Sequence, residues 1–330
     1  MSRFLFSGRL LASTVLSAML VSCAKPDAAK SDSTVVLQKR SDTPTVKSPG
    51  AAPTKVATIE GMKTPESVRY DPDQDVYFVS NINGNPNQKD NNGYIAKIDA
   101  NNPTAATMFI EGGKNGVTLN APKGMALYGD TLWVADIDAV RGFDRKTGKP
   151  VTTIDLSSLK VIFANDITVG PDGLYITDTG IHFDAKGAMT HPGMDQIIRI
   201  QNHKGTVVLS GDALKSAGGP NGITWDAQES RMLIGGFSGK DLVSWKPGDA
   251  TVTTVATGAG GYDGLEVLPD RRIAITSWTD STVNIVDGNK LTRYITGVDA
   301  PADIGFDMKR TRIAIPRFNA NTVEIWDVKK

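Results

Sequence analysis

The sequence is poor in the residues that most often carry covalent and metal chemistry, with one cysteine and three histidines among 330 residues. A single cysteine cannot form an intramolecular disulfide, a cysteine zinc site or an iron–sulfur cluster. The 36 basic residues balance the 36 acidic ones, so the basic surface expected of a nucleic-acid-binding protein is missing. No apolar run approaches the roughly 20 residues of a transmembrane helix. The sequence also lacks a P-loop, a G-x-S-x-G segment and an H-E-x-x-H segment, which disfavours nucleotide binding and covalent serine hydrolysis.

The N-terminus has the layout of a bacterial secretion signal, with a basic head at Arg3 and Arg9 followed by an apolar stretch. Residues 20–23 (LVSC) resemble a lipobox, in which cleavage precedes a cysteine that is then acylated, and the sole cysteine, Cys23, stands at the required position. Because Ala24 and not Asp follows it, the sorting rules that the motif implies predict a lipid anchor in the outer membrane of a Gram-negative bacterium, on the periplasmic side. The alternative is an ordinary signal peptide that happens to contain a cysteine.

Residues 24–53 are rich in Ala, Ser, Pro, Lys and Asp and show no amphipathic period. This composition is typical of a flexible tether. The predicted organisation is therefore a signal segment at 1–22, a lipidated Cys23 with its tether up to residue 53, and a folded domain at 54–330.

The folded domain contains a repeat of two short apolar strands joined by a polar turn. Six segments share this layout, at residues 65–81, 122–136, 164–178, 220–236, 262–278 and 301–318. Each has room for two further strands, which predicts an all-β fold, a six-bladed β-propeller of four-stranded units. The last unit lacks one strand, and residues 55–60 can supply it and close the ring. Two β-sandwiches are the alternative fold.

One polar position recurs at the start of the first strand of the repeat. It is occupied by Glu66, Lys123, Asn165, Asn221, Asp263 and, in the sixth unit, Ala302. In a propeller these positions converge on the mouth of the central channel. Two carboxylates and two amides around one point are the hard oxygen ligands that Ca²⁺ requires. The alternative is a polar channel mouth satisfied by hydrogen bonds and water, with no ion.

Long insertions follow the second strand of two units, at residues 83–92 and 180–195. Since the second strand returns toward the face that carries the polar positions, both insertions are predicted to overhang that face. His182 and His191 lie in the second insertion and are candidate substrate-binding residues, although an ordinary solvated loop is the simpler interpretation. Four tryptophans on the repeat strands, among them Trp278, are expected in the core between blades.

Three segments of the repeat resemble the calcium-dependent lactonase propellers, namely the senescence-marker-protein/gluconolactonase family and, more distantly, the paraoxonases. These are Asn165-Asp166-Ile167, Asn221-Gly222-Ile223 and Asp263-Gly264-Leu265. Glu66 stands where these families place an N-terminal glutamate ligand. The resemblance implies a calcium site formed by Glu66, Asn221 and Asp263, with Asn165 as a further ligand or a substrate contact. It also implies hydrolysis of a lactone or ester by a metal-activated water, with Asp263 or Glu66 as the general base.

Lys123 departs from the family pattern, because an ammonium group directed at a cation site is unfavourable. Lys123 could stabilise an oxyanion or contact a substrate carboxylate, which would make it a third catalytic candidate. It could instead pair with Glu66 and Asp263 and replace the ion. Residues 122–136, which contain Lys123, also resemble the NHL-type repeats. Propellers of that type bind a partner, such as a protein or glycan, and usually catalyse nothing. The choice between Ca²⁺, another divalent cation and no metal stays open, and so does the choice between an enzyme and a binding protein.

Overall fold

The structure is a computed structural model that describes residues 52–328. The predicted signal segment, Cys23 and the tether up to residue 51 lie outside the described residues. The described part of the chain contains no α-helix and has two short 3₁₀ helices, at Ser157–Leu159 and Gly211–Leu214. Among residues 52–328 no helix has the length and apolar character needed to cross a bilayer.

Six four-stranded antiparallel sheets form the blades of a propeller. The chain begins with β1 (Thr54–Ile59), which belongs to the last blade. Blade 1 contains β2 to β5, which are Pro65–Asp71, Val76–Asn81, Tyr94–Asp99 and Ala106–Glu111. Blade 2 contains β6 to β9, which are Pro122–Tyr128, Thr131–Asp136, Ala139–Asp144 and Pro150–Asp155. Blade 3 contains β10 (Ala164–Gly170), β11 (Gly173–Asp178), the small hairpin β12–β13 (His182–Phe183 and Met189–Thr190), β14 (Gln196–Gln201) and β15 (Lys204–Ser210).

The second half of the ring follows the same order. Blade 4 contains β16 to β19, which are Pro220–Asp226, Arg231–Gly236, Asp241–Trp245 and Thr253–Thr257. Blade 5 contains β20 to β23, which are Tyr262–Val267, Ile273–Ser277, Thr282–Asp287 and Lys290–Thr296. Blade 6 contains β24 (Gly305–Asp307), β25 (Arg312–Arg317) and β26 (Thr322–Asp327), and β1 pairs with β26 as its fourth strand. The predicted six-bladed propeller closed by an N-terminal strand is therefore confirmed.

The polar turns of the repeat have a local physical cause. An aspartate ends the first strand of several blades, and its carboxylate accepts hydrogen bonds from main-chain N–H groups of the following turn. Asp71 accepts from the N–H groups of Asp73 and Gln74, and Asp307 accepts in the same way from residues 309 and 310. These bonds mimic a backbone turn and reverse the chain between the two apolar strands of each repeat.

The hydrophobic core is divided among the interfaces between neighbouring blades. Six clusters of buried side chains each join strands of two adjacent blades. Trp133 belongs to the cluster between blades 2 and 3. Trp225 packs against the cluster between blades 3 and 4, and Trp326 packs against the cluster between blades 5 and 6. Trp278 was expected in such a core but faces a cavity at the channel mouth instead, since β21 ends at Ser277, one residue before it.

Arg69 occupies the channel below the polar positions. Its Nε and Nη1 atoms donate to main-chain carbonyl groups of blades 1, 2 and 6. Its Nη2 atom lies 3.3 Å from Asp166 Oδ1 and 2.8 Å from Asp303 Oδ2. Ser67 Oγ also donates to Asp303 Oδ2, at 2.6 Å. The guanidinium thus joins several blades and neutralises two carboxylates that the fold buries.

Closure by β1 predicts a selective loss of stability. Ile59 is fully buried in the cluster between blades 6 and 1, whereas Val56 on the same strand is 46% exposed. We expect Ile59→Ala to lower the free energy of unfolding by about 2–5 kcal/mol and Val56→Ala to change it by less than about 0.5 kcal/mol. Denaturant unfolding measures both, and equal effects of the two substitutions would show that β1 does not close the ring in solution.

The position of Arg69 predicts a pH-dependent defect in Arg69→Met. Burial raises the pKa values of Asp166 and Asp303, and Arg69 opposes this shift. Without Arg69 both pKa values rise further, so the folded state binds more protons than the unfolded chain and stability falls as pH increases. We expect a loss of about 3–5 kcal/mol at pH 8 and a smaller loss at pH 5.

The matched control is Arg271→Met, which removes the more exposed ion pair between Arg271 and Glu229 and should change stability by at most about 1 kcal/mol. Unfolding of both variants and the parent protein at pH 5 and pH 8 measures the effect. A loss in Arg69→Met that does not vary with pH would contradict this interpretation.

Candidate functional site at the channel mouth

A β-bulge interrupts the innermost strand of blades 1 to 5 at the polar position of the repeat. In β2 the register shifts between Pro65 and Ser67, and in β16 it shifts between Pro220 and Ile223. Strands β6, β10 and β20 shift at the equivalent place. A bulge takes residues out of the regular ladder and redirects their side chains. The polar residues therefore turn toward the channel mouth while the strand around them continues.

The redirected side chains meet in one cavity of about 410 Å³. We call the polar residues that line it the cavity floor, and they are Glu66, Lys123, Asn165, Asn221 and Asp263. Each of these residues is at most 5% exposed. The sixth register position, Ala302, is fully buried beside them. The structure thus brings together the five polar residues selected from the sequence, and their roles as ligands or catalytic groups stay predictions.

Three oxygen atoms of the cavity floor have no partner. Within the described part of the chain, Glu66 Oε2, Asn221 Oδ1 and Asp263 Oδ1 are buried and accept no hydrogen bond. Buried polar atoms are almost always satisfied, and leaving one unsatisfied is costly. Three such oxygens on one cavity, two of them from carboxylates, are a donor set that fits a divalent cation.

Neighbouring groups orient two of these oxygens, those of Asp263 and Asn221, by binding the other polar atom of the side chain. Trp278 Nε1 donates to Asp263 Oδ2 at 2.9 Å, and Asn221 Nδ2 donates to the Tyr262 carbonyl at 3.3 Å. Exchanging the amide atoms of Asn221 would place its oxygen against that carbonyl oxygen, so the contact fixes the orientation of the amide. Asn165 Nδ2 donates to Thr179 Oγ1 at 2.9 Å, which fixes the amide of this residue as well.

The electrostatics of the cavity floor also indicate that positive charge is missing. Burial, followed by the nearby carboxylates of Asp263 and Asp303, raises the pKa of Glu66 well above its usual range. Burial and Asp303 raise the pKa of Asp263 in the same way. A cation among these oxygens would stabilise their charged forms. The floor therefore contains buried carboxyl groups whose charge either protons or a cation would neutralise.

Lys123 does not supply this charge by pairing with the carboxylates. Among the ion pairs of residues 52–328, none joins Lys123 to Glu66 or Asp263, and Nζ donates instead to the carbonyls of Pro86 and Ala121, at 3.0 and 3.2 Å. Nζ also lies 4.3 Å from the ring centre of Phe163. Burial lowers the pKa of Lys123 to about 8, although Glu66 partly opposes the shift. The alternative in which Lys123 pairs with both carboxylates and replaces the ion is therefore wrong for this structure, because the two carbonyl groups hold the ammonium away from them.

The two long insertions overhang the cavity, as predicted from their position in the repeat. Residues of both insertions line it, including Pro86 from blade 1 and Phe183 from blade 3. The insertions are bound to each other, since Asn87 Oδ1 accepts from the Phe183 N–H at 2.8 Å and Asn85 Nδ2 donates to the Asp184 carbonyl at 3.1 Å. Together they form a roof over the part of the floor beside blades 1 and 3.

The two histidines of the second insertion do not line this cavity. His182 lies on β12 and faces a separate cavity that also contains Lys89. His191 is 49% exposed, and its Nε2 lies 2.8 Å from Asp195 Oδ1. Their role in substrate binding stays a prediction without support from their location.

Sequence reasoning missed three residues that shape the site. Asp166 and Asp303 follow the polar position by one residue in blades 3 and 6, and their carboxylates face Arg69 in the channel. The sequence signal was an aspartate directly after the counted position, which is Asn165 in blade 3 and Ala302 in blade 6. Trp278 was placed in the core, although the signal of an aromatic residue just beyond a strand end was visible in the sequence.

The described residues contain no cluster of three or more His, Cys, Asp and Glu side chains arranged to hold a metal ion. The cavity floor differs from such clusters because half of its four oxygen-bearing side chains are amides. A cation bound there would therefore be surrounded by amide oxygens as well as by carboxylates.

Comparison with known proteins finds similarity in solved structures. No family model and no curated protein matches the chain. A calcium-binding protein, regucalcin from Agrobacterium tumefaciens strain C58, has a TM-score of 0.61 and 16% identity over 83% of this chain and 96% of that chain. A chain in a nidogen/laminin complex has a TM-score of 0.54 and 16% identity over 71% of this chain and 80% of that chain. At this identity the likeness establishes a shared β-propeller fold, and function must be argued from the site.

Proposed function

We propose that this protein is a calcium-dependent hydrolase of lactones or esters, with its site at the cavity floor. The observation that carries the proposal is the set of three unpartnered buried oxygens on Glu66, Asn221 and Asp263. The sequence resemblance to the gluconolactonase-like propellers selects the same three residues as ligands. The fold likeness to a protein described as calcium-binding supports the choice of Ca²⁺, although an all-oxygen site can also accept other divalent cations.

In this proposal Glu66, Asn221 and Asp263 hold the ion, and Asn165 is a further ligand or binds substrate. When bound, a divalent cation would polarise a carbonyl group and lower the pKa of a water molecule. Asp263 lines the cavity, and Trp278 binds its Oδ2 while its Oδ1 has no partner. Asp263 or Glu66 would accept the proton of the attacking water. Lys123 would donate a hydrogen bond to the substrate oxygen that gains negative charge, or would bind a substrate carboxylate.

A second candidate function is a non-catalytic propeller that binds a protein or glycan partner. The observation that favours it is the fold likeness to a chain in a nidogen/laminin complex, which is an assembly of proteins. Its simplest form, in which Lys123 replaces the ion, is not supported because Lys123 bonds to main-chain carbonyls. We therefore prefer the hydrolase.

We further propose that the enzyme is anchored to the outer membrane through lipidated Cys23 and acts in the periplasm. The support is the lipobox-like segment at residues 20–23 and the polar composition of the segment that follows. A tether of this length would let the propeller reach small lactones or esters that diffuse through the periplasm. Metabolic labelling with a fatty acid, compared between the parent protein and Cys23→Ser, tests the anchor.

The proposed metal site predicts opposite effects of Asp263→Asn before and after calcium is added. Removing a buried carboxylate with a raised pKa should leave the chelator-treated protein equally or more stable at pH 8. The same substitution should abolish the stabilisation by calcium, which for the parent protein is about 2.7 kcal/mol at 100 times the dissociation constant. Thermal unfolding during titration with Ca²⁺ and Mg²⁺ measures both effects.

The matched control for this experiment is Asp249→Asn, because Asp249 is exposed on the far side of blade 4 from the inner strand. It should retain the full calcium shift of the parent protein. Retention of that shift by Asp263→Asn, or its absence from the parent protein, would contradict the proposed site.

The proposed role of Lys123 predicts that its ammonium assists turnover while opposing the cation. We expect Lys123→Met to lower kcat by about 10²-fold and to strengthen calcium binding, since a positive charge near the site has been removed. The parent rate should decrease as pH rises through the pKa of Lys123, which is about 8 before a cation lowers it, because the ammonium form is then lost. Steady-state kinetics and calcium titration of the same variant measure the two effects.

Lys123→Arg is the matched control, since it keeps the charge and should remove the decrease in rate between pH 7 and 9. If Lys123→Met turned over as fast as the parent protein, Lys123 would be a structural residue that holds the roof through Pro86.

A further inference from the structure

The geometry points to a substrate whose reacting carbonyl lies on the polar floor and whose remaining part is apolar. Such a substrate is an alkyl or aryl lactone or ester, and not a polyhydroxylated one. This inference rests on the proposed hydrolase, since it names the substrate class of the same cavity. The observation that supports it is the composition of the cavity walls, on which the proposed function does not depend.

Two groups of aromatic rings form these walls. On one side Phe163 and Phe183 lie with ring centres 6.0 Å apart. On the other side Phe237, Trp278 and Phe318 form a continuous row, with centre distances of 5.3 and 5.2 Å. All five rings line the same cavity, together with Ile82 and Ile181. Such a surface gains free energy by releasing water to an alkyl chain or a second ring.

Three polar side chains near these walls already bind groups within the protein. Asn85 Nδ2 donates to the Asp184 carbonyl, and Asn165 Nδ2 donates to Thr179 Oγ1. Lys123 gives two of its three N–H groups to main-chain carbonyls. A substrate with several hydroxyl groups would lose its water at these walls and gain few hydrogen bonds in return. Desolvation thus disfavours binding of a polyhydroxylated substrate, whereas an apolar chain has no hydrogen bonds to water that it would lose.

The shape of the cavity separates the reacting end of a substrate from its apolar end. The unpartnered oxygens lie on the floor, at the start of the inner strands, whereas Phe183, Phe237 and Phe318 stand on segments that follow the second strand of their blades. A volume of about 410 Å³ lies within the range of roughly 300–1,000 Å³ that holds a small organic ligand. A five-membered lactone ring with a medium-length chain can therefore extend from the floor along the aromatic row.

The first test measures kcat/KM of the full protein with calcium on γ-lactones that differ only in their side chain, from methyl to hexyl, and on gluconolactone. The inference predicts that kcat/KM rises at least tenfold from methyl to hexyl and that gluconolactone is slower than the hexyl lactone. Phe237→Ala and Phe318→Ala should lower kcat/KM for the hexyl lactone at least several-fold more than for the methyl lactone, because the short side chain reaches fewer of these rings. Tyr128→Ala, which removes an exposed ring outside the cavity (57% exposed), is the matched control.

The methyl lactone also reports whether a variant is folded, and Phe237→Leu provides a milder substitution if Phe237→Ala is unstable. A preference for gluconolactone, or equal losses on both lactones, would overturn the apolar assignment and leave the hydrolase in place.

The second test does not depend on turnover. It measures binding of 2-hexylcyclopentanone, which has a carbonyl but cannot be hydrolysed, to the chelator-treated protein by calorimetry. We expect saturable binding that weakens about tenfold in Phe237→Ala and is unchanged in Tyr128→Ala. If this binding is found but no lactone or ester is hydrolysed, the apolar cavity stands and the proposed hydrolase fails. Absence of binding in the parent protein would overturn the apolar assignment, whether or not the protein is an enzyme.

Discussion

The inner strands of the six blades must approach one another closely around a single axis, and the site depends on this contact. At Gly222 a Cβ atom would lie 1.7 Å from the carbonyl oxygen of Asp263 on the neighbouring blade, and at Gly124 it would lie 2.3 Å from Asp166 Oδ1. Any side chain at these positions would separate the blades. Glycine thus allows two ligand candidates on adjacent blades, Asn221 and Asp263, to stand next to each other, because the residue after the first has no side chain.

The same close approach brings several carboxylates near the axis. These carboxylates are paired with a cationic side chain in the channel but not at the mouth. In the channel, Asp166 and Asp303 are paired with Arg69, which also bonds to carbonyl groups of three blades. At the mouth, Glu66 and Asp263 have no cationic side chain within ion-pair distance among residues 52–328, and one oxygen of each is unpartnered. An internal cation is a permanent component of the structure, whereas an external one leaves a position for a substrate or water. The proposed function therefore uses the unpartnered carboxylates at the mouth, and not the paired ones in the channel.

The fold was predictable from the sequence because each blade corresponds to one copy of the repeat. The polar turns, the paired apolar strands and the missing strand of blade 6 specified the ring, and the predicted closing strand at 55–60 differs from β1 by one residue at each end. The five polar residues of the floor were also predictable, since they share one register. Asp166 and Asp303 were not found because a regular strand would turn the residue after a channel-facing one away from the channel. At Asp166 a bulge breaks that alternation, and Asp303 lies before the first residue of β24, so a register count that assumes regular strands assigns neither residue to the channel.

The direction of Lys123 was unpredictable for a different reason. Its position in the repeat places it on the floor, but one carbonyl that holds it belongs to Pro86 in the blade 1 insertion. A contact with an insertion is not part of the repeat and therefore cannot be predicted from it. The contact links the roof to the cavity floor below it. If the roof moved away, the ammonium would lose one of its two carbonyl partners and become free to approach Glu66, which already affects its pKa. The roof therefore does more than cover the aromatic walls, because its carbonyl group also holds the Lys123 ammonium away from the carboxylates of the floor.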